Sequence, residues 1–219
     1  MKRSIKYLSM AVFALAANAW AGSAEEELLN AFVKCDASMF DILKNKQEQL
    51  SKYAPIEKVG KTARFQLGSA DEDGKRQVIF NKPIIVNGIH FSSFSAEYSE
   101  LPVNETGKNP VFYFWGFEVE EARAADLVVK FPQWGLKPMG KNFATPSQII
   151  INSHQSVRWQ PNMQATTGSI PAKNTVEKLL ILEESNGKTS LYCTIQGYPN
   201  DKLIRRERLD LIEIGRAHV

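Results

Sequence analysis

The sequence predicts an α+β fold, with an N-terminal helix region packed on a mostly antiparallel β-sheet and one further internal helix. Three observations carry this. Apolar residues recur at spacings of three and four before Pro55 and at alternating positions after it. Two Asn-Gly pairs, Asn87-Gly88 and Asn186-Gly187, mark tight two-residue hairpins. Glu120 to Phe131 alone returns to helical spacing. Strands joined by hairpins are antiparallel, and helices segregated from them cover the apolar face of the sheet.

Both ends are set aside before the elements are read. Lys2, Arg3 and Lys6 form a basic start, Tyr7 to Ala17 an apolar run, and Ala19-Trp20-Ala21 a small-x-small site before Gly22. That order is the pattern of a secretory signal peptide over residues 1–21. No cysteine follows the apolar run, so a lipid anchor is not expected. A short basic leader suits a bacterial cell, which makes the periplasm the expected location. Residues 214–219, Ile-Gly-Arg-Ala-His-Val, match the translation of a common sequencing adaptor and are read as a non-native tail. Residues 22–213 are expected to form a single domain.

Trimming changes the charge. Of 27 Lys and Arg, three lie in the leader and one, Arg216, in the tail; the 23 that remain face 24 Asp and Glu, a net charge of −1. Bulk charge therefore gives no reason to expect nucleic acid or an anionic membrane surface as partner. No later segment approaches the ~20 apolar residues of a membrane helix, so membrane insertion of the mature chain is not expected.

Residues 24–52 read as helix, with Leu28, Phe32, Cys35, Met39, Leu43 and Leu50 along one stripe. Glu25, Glu26 and Glu27 suit its N-terminal dipole, and Asp36 and Ser38 are cap residues that mark a break into two helices. Thr62 to Leu67 and Gln77 to Asn81 are short strands about an Asp71-Glu72-Asp73-Gly74 turn. Ile84 to Val86 joins the strand from Ile89 through Asn87-Gly88. In that strand the inward parity switches at Ser92-Ser93, which predicts a β-bulge. Val111 to Val119 is apolar on both faces and reads as a central strand covered on two sides. Glu120 to Phe131 is a short helix. Trp134 to Pro146, rich in Gly, Pro and Lys, reads as a long irregular loop. Gln148 to Asn152 and Ser156 to Gln160 form a hairpin, and Thr175 to Glu183 pairs with Thr189 to Gly197 through Asn186-Gly187. Lys202 to Glu213 is ambiguous between helix and strand.

Only Cys35 and Cys193 are present. In an oxidising compartment an even pair is read as a disulfide. Cys35 lies on the helical stripe and Cys193 on the alternating face Leu191, Cys193, Ile195, so both sulfurs are expected to face the core.

Catalytic signatures are scarce. Outside the tail, His90 and His154 are isolated, with no HxH, HExxH or CxxC spacing, so neither a metal site nor a cofactor is expected. No GxSxG elbow anchors a triad. Glu118, Glu120 and Glu121 fit a strand end and the first turn of the next helix. Asp71, Asp73 and Gly74 echo only half of a calcium loop. Asn104-Glu105-Thr106 is a glycosylation sequon that matters only in a eukaryotic host. Arg205, Arg206 and Arg208, interleaved with Glu207 and Asp210, read as a solvated face.

These residues point to a secreted periplasmic binding or interaction protein without catalysis, of the inhibitor or immunity type, with another envelope protein as partner. An envelope hydrolase and a small-ligand carrier are the alternatives. The candidate interaction surface is the loop after the internal helix, where Trp134 and Phe143 would be aromatic anchors and Lys137 and Lys141 their polar surround.

Overall fold

A computed structural model describes residues 22–102, 108–153, 156, 158–165 and 170–211. The leader, the sequon at Asn104, His154 and the tail lie outside them. The N-terminal helical region breaks as the cap residues suggest, into α1 (Ala24–Phe32), α2 (Ser38–Asn45) and α3 (Gln47–Leu50). Ser23 caps α1 by accepting from the Glu26 N–H at 3.1 Å, and Asp36 Oδ1 accepts from the Ser38 N–H at 2.9 Å. Between the two helices Cys35 takes a left-handed backbone, φ 52°, which turns the chain back on itself.

A small sheet pairs β1 (Ile56–Val59) with β2 (Thr62–Phe65). The first of these strands escapes the sequence reading because Pro55 and a single apolar pair hide its alternation. The main sheet holds β3 (Arg76–Val86), β4 (Ile89–Glu100), β5 (Val111–Glu120), β6 (Lys137–Met139), β7 (Asn142–Ala144), β8 (Gln148–Ile150), β9 (Gln160–Pro161), β10 (Val176–Ser185) and β11 (Lys188–Gly197). Its order is β3-β4-β5-β11-β10-β7-β6, with β8 also on β10 and β9 on β8, all antiparallel. The fold is thus α+β, with a mostly antiparallel sheet.

Both Asn-Gly turns form with positive φ at each residue: 50° and 69° at Asn87-Gly88, 51° and 73° at Asn186-Gly187. Such twist matches that of the flanking strands. The register of β4 on β5 slips between Phe91 and Ser93, where the parity switch placed a bulge. The segments 77–81 and 84–86 are one strand rather than two. An irregularity between Ile79 and Ile84 spans Pro83, and the Asn81 N–H inside it donates to the Tyr53 carbonyl at 2.8 Å.

Helix α4 (Ala124–Lys130) is shorter than the predicted 120–131, because Glu120 stays in β5 and Glu121 turns left-handed at φ 57°. The final segment resolves as α5 (Asp201–Glu207), capped by the Asn200 side chain, followed by a 3-10 turn at Leu209–Leu211.

The helices gather on one face of the sheet. Phe117 of β5 is the hub, with the rings of Phe32, Phe94 and Phe91 at 4.9, 5.1 and 5.8 Å. Cys35 and Cys193 form the expected disulfide, with Cα atoms 5.3 Å apart, and tie the α1–α2 turn to β11. From α4, Leu127 is fully buried and the Ala124 N–H donates to Glu184; from α5, Leu203 is fully buried. Among the described residues no helix is long and apolar enough to cross a membrane.

At the start of α1, Glu25 accepts from the Tyr53 hydroxyl at 2.6 Å and pairs with Lys52 at 3.0 Å. Burial is the largest single influence on this carboxyl and acts upward, but the hydrogen bonds of Tyr53, Lys52, the backbone and Ser23 together hold it at about 2, against an ordinary 4.5. A depressed carboxyl stabilises the fold fully above its ordinary value and loses that contribution as pH falls through the folded one. Wild type is therefore expected to lose more stability than Glu25→Gln between pH 4.5 and 2, read as urea midpoints across that range. Parallel pH curves for the two proteins would show that this carboxylate contributes nothing.

Candidate functional site

The sequence-predicted surface does not assemble. In place of a long loop, residues 137–144 form the β6–β7 hairpin, with Met139 paired to Asn142 across Gly140-Lys141 and Gly140 at φ 60°. Pro138 is tolerated because β6 is the edge strand of the sheet. Trp134 closes a 3-10 turn, Pro132–Trp134, and is 5% exposed; its ring stacks on Phe131 at 3.9 Å, with 5° between the planes. It is a core residue, because Phe131 at the end of α4 already carries it inward. Phe143 is half-buried against the core. Of the four residues only Lys137 and Lys141 are exposed, so the two aromatic anchors are missing from that surface.

The other face of the main sheet has a different character. Side chains directly opposite one another across antiparallel strands share a face. The register therefore places Leu179, Thr194, Phe114 and Glu97 in one row from β10 to β4. Ile181, Tyr192, Gly116 and Ser95 form the next row. The rows on either side carry Glu177 with Phe112 and Glu183 with Glu118. The helices α1–α5 all lie on the opposite side, so β5 is central but covered by helices on one face only. Its second face is shielded by its own aromatics. Phe112 stacks on Phe114 at 6.2 Å with 9° between planes, and Phe114 meets Tyr192 edge-on at 5.8 Å. All three remain half-buried, as do Leu179 and Ile181. Gly116 makes this packing possible. A Cβ there would overlap the Leu191 carbonyl and come within 2.5 Å of Tyr192 Cα.

Carboxylates ring this apolar centre. Tyr192 donates to Glu183 at 2.9 Å, and burial, then the Glu183 hydrogen bond, push its phenol well above the usual range. Glu177 accepts from Asn162 at 2.8 Å and Gln196 at 2.7 Å. Burial raises the Glu97 carboxyl, and Asp71 and Asp73 add to the rise against Lys75. Of these four glutamates, only Glu118 has a salt bridge among the described residues, to Lys75 at 2.9 Å; burial acts to raise it, but that pair outweighs burial and holds it lower than usual. At the far end of the same face His90 stands opposite Glu120 on a half-buried strand position.

A second feature lies on the helical side. A cleft of about 440 Å³ opens between the start of α2 and the end of α5, lined by Asp36, Ser38, Asp41, Trp159, Lys178 and Glu207, among others. Glu207, 4% exposed, accepts from Trp159 Nε1 at 3.0 Å and Arg206 Nε at 2.7 Å. Lys178 lies over the Trp159 ring, 4.7 Å from its centroid. Desolvation lowers the Lys178 ammonium, against the pull of Glu207 and Asp36.

The arginine-rich segment is a solvated face only in part: Arg205 and Arg206 are exposed, whereas Arg208 turns inward. Arg208 is 1% exposed, forms a bidentate pair with Asp210 at 2.9 and 2.8 Å, and lies 4.5 Å over the Trp115 ring. Alternating charge hides this, because the short helix α5 ends between Arg206 and Arg208 and turns the latter inward. Among the described residues no group of three or more His, Cys, Asp or Glu is placed to hold a metal. Comparison with protein families, curated proteins and solved structures finds no match to this chain.

Proposed function

We propose that the chain is an exported, non-catalytic binding protein of the bacterial envelope, acting in the periplasm, that docks another envelope protein on the open face of its main sheet. The observation behind this reading is the apolar centre of Phe112, Phe114, Tyr192, Leu179 and Ile181, left half-buried on a face that no described helix covers. An apolar patch that stays partly open to solvent within a polar rim is the kind of surface that interaction sites use. Anchors of this kind, excluded from water by a polar rim, dominate binding energy.

Charge selects the partner. Half-buried Glu97 and Glu183 and buried Glu177 form no ion pair among the described residues and outnumber Lys75, which pairs with Glu118, so the rim is net acidic. Two copies set face to face would oppose these carboxylates. The fitting partner presents Lys or Arg around an apolar centre, which speeds encounter and fixes orientation. The leader supports export, and the disulfide suits an oxidising compartment.

Site-specific photocrosslinking in the living cell tests the reading. A photoreactive residue at Phe114 or Leu179 is expected to capture one protein, whereas one at Glu48, exposed on α3, captures none. Phe114→Ala with Leu179→Ala is then expected to weaken that complex by more than ~2 kcal/mol, the scale of a hot spot. The captured adduct should carry a chain beginning at Gly22. Capture from α3 alone, or an unprocessed Met1 start, overturns the proposal.

A further inference from the structure

The cleft between α2 and α5 contains a cation that the fold buries without fully satisfying. The Lys178 side chain is 8% exposed, yet its ion-pair partner Glu207 stands at 3.6 Å, beyond hydrogen-bond length. Trp159 and Arg206 both donate to the other oxygen, Oε1, and hold the carboxylate away from Lys178. A desolvated ammonium without full hydrogen bonding is costly, and a ligand that supplies an anionic acceptor recovers the cost. Asp36 and the exposed Asp41 line the α2 side, while Lys178, Arg206 and Glu207 line the other, so the cleft presents both signs of charge. A simple anion would meet these carboxylates, and a simple cation would meet Lys178. Both walls are matched only by a molecule that carries both charges.

We propose that this cleft binds a small zwitterion, its carboxylate seated on Lys178 and its ammonium facing Asp36 and Asp41, with the Trp159 ring as the apolar wall. The cleft of about 440 Å³ is shallow and open to solvent, with room for a small molecule laid along it. An amino acid or a short peptide with free ends has this chemistry. The proposal uses none of the residues of the open sheet face and stands or falls apart from it.

Titration of the oxidised mature protein with glycine, glycylglycine and triglycine separates the two charges by increasing lengths. Calorimetry and tryptophan fluorescence read binding, and Trp159→Phe assigns the optical signal. At least one member is expected to bind with Kd below about 10 mM, and acetate and ethylamine at least about tenfold more weakly. Lys178→Met is expected to weaken binding by more than about tenfold at unchanged fold. Asp41→Asn, at an exposed position, should weaken it several-fold. Absence of binding by all three peptides, equal binding of acetate, or unchanged affinity in Asp41→Asn or in a folded Lys178→Met protein overturns the assignment.

Discussion

Reducing the Cys35–Cys193 bond is expected to lower the unfolding free energy by about 3–5 kcal/mol. The bond spans a sequence separation of 158. The chain-entropy treatment assigns a loop of that length about 5 kcal/mol as an upper figure. Its loss would approach the whole stability of a domain with an ordinary reserve of ~5–15 kcal/mol. The bond also holds the α1–α2 turn against β11, so its removal loosens the layer that covers Phe117. Cys193 is fully buried and Cys35 is 3% exposed. A reductant is therefore expected to act only after the fold opens. Urea titrations of oxidised protein and of a Cys35→Ser, Cys193→Ser double variant measure the difference, and coincident curves would refute it.

Breaking the Arg208–Asp210 pair by removing one partner is expected to cost about 3–5 kcal/mol, the scale for stranding a charge inside a protein. Arg208 stacks on Trp115 while its guanidinium grips Asp210, and the Asp210 carbonyl accepts from Arg64 of β2. This cluster joins the C-terminal turn to the small sheet and to the centre of β5. Asp210→Ala leaves an uncompensated guanidinium, so it should be worse than replacing both residues together with Met and Leu. A double-mutant cycle on thermal or urea unfolding reads the coupling. Additive single effects would mean that the two side chains stabilise the fold independently.

The sequence by itself determined the elements whose causes are local. Helical spacing before Pro55, left-handed turns at the two Asn-Gly pairs and the bulge at Ser92-Ser93 each depend on a few neighbouring residues, and each forms where those residues place it. The disulfide was legible because only one pairing existed and the strand period turns Cys193 inward; Cys35, read as helical, instead sits in the left-handed turn between α1 and α2.

Tertiary structure alone decided what lies on which side. Trp134 reads as a loop residue because Gly, Pro and Lys surround it, but stacking on Phe131 outweighs that composition and takes it into the core. The β6–β7 hairpin exists because β10 offers an edge to pair with, which no local signal announces. Phe112 and Phe114 predict a strand covered on both faces. Only the placement of every described helix on the opposite side leaves them half-buried on an open one. Arg208 looks like a surface charge in sequence, since the residues that bury it, Asp210 and Trp115, come from the turn after a short helix and from a strand distant in the chain. Local periodicity sets an element's faces, whereas which face meets water depends on the layers that pack against it.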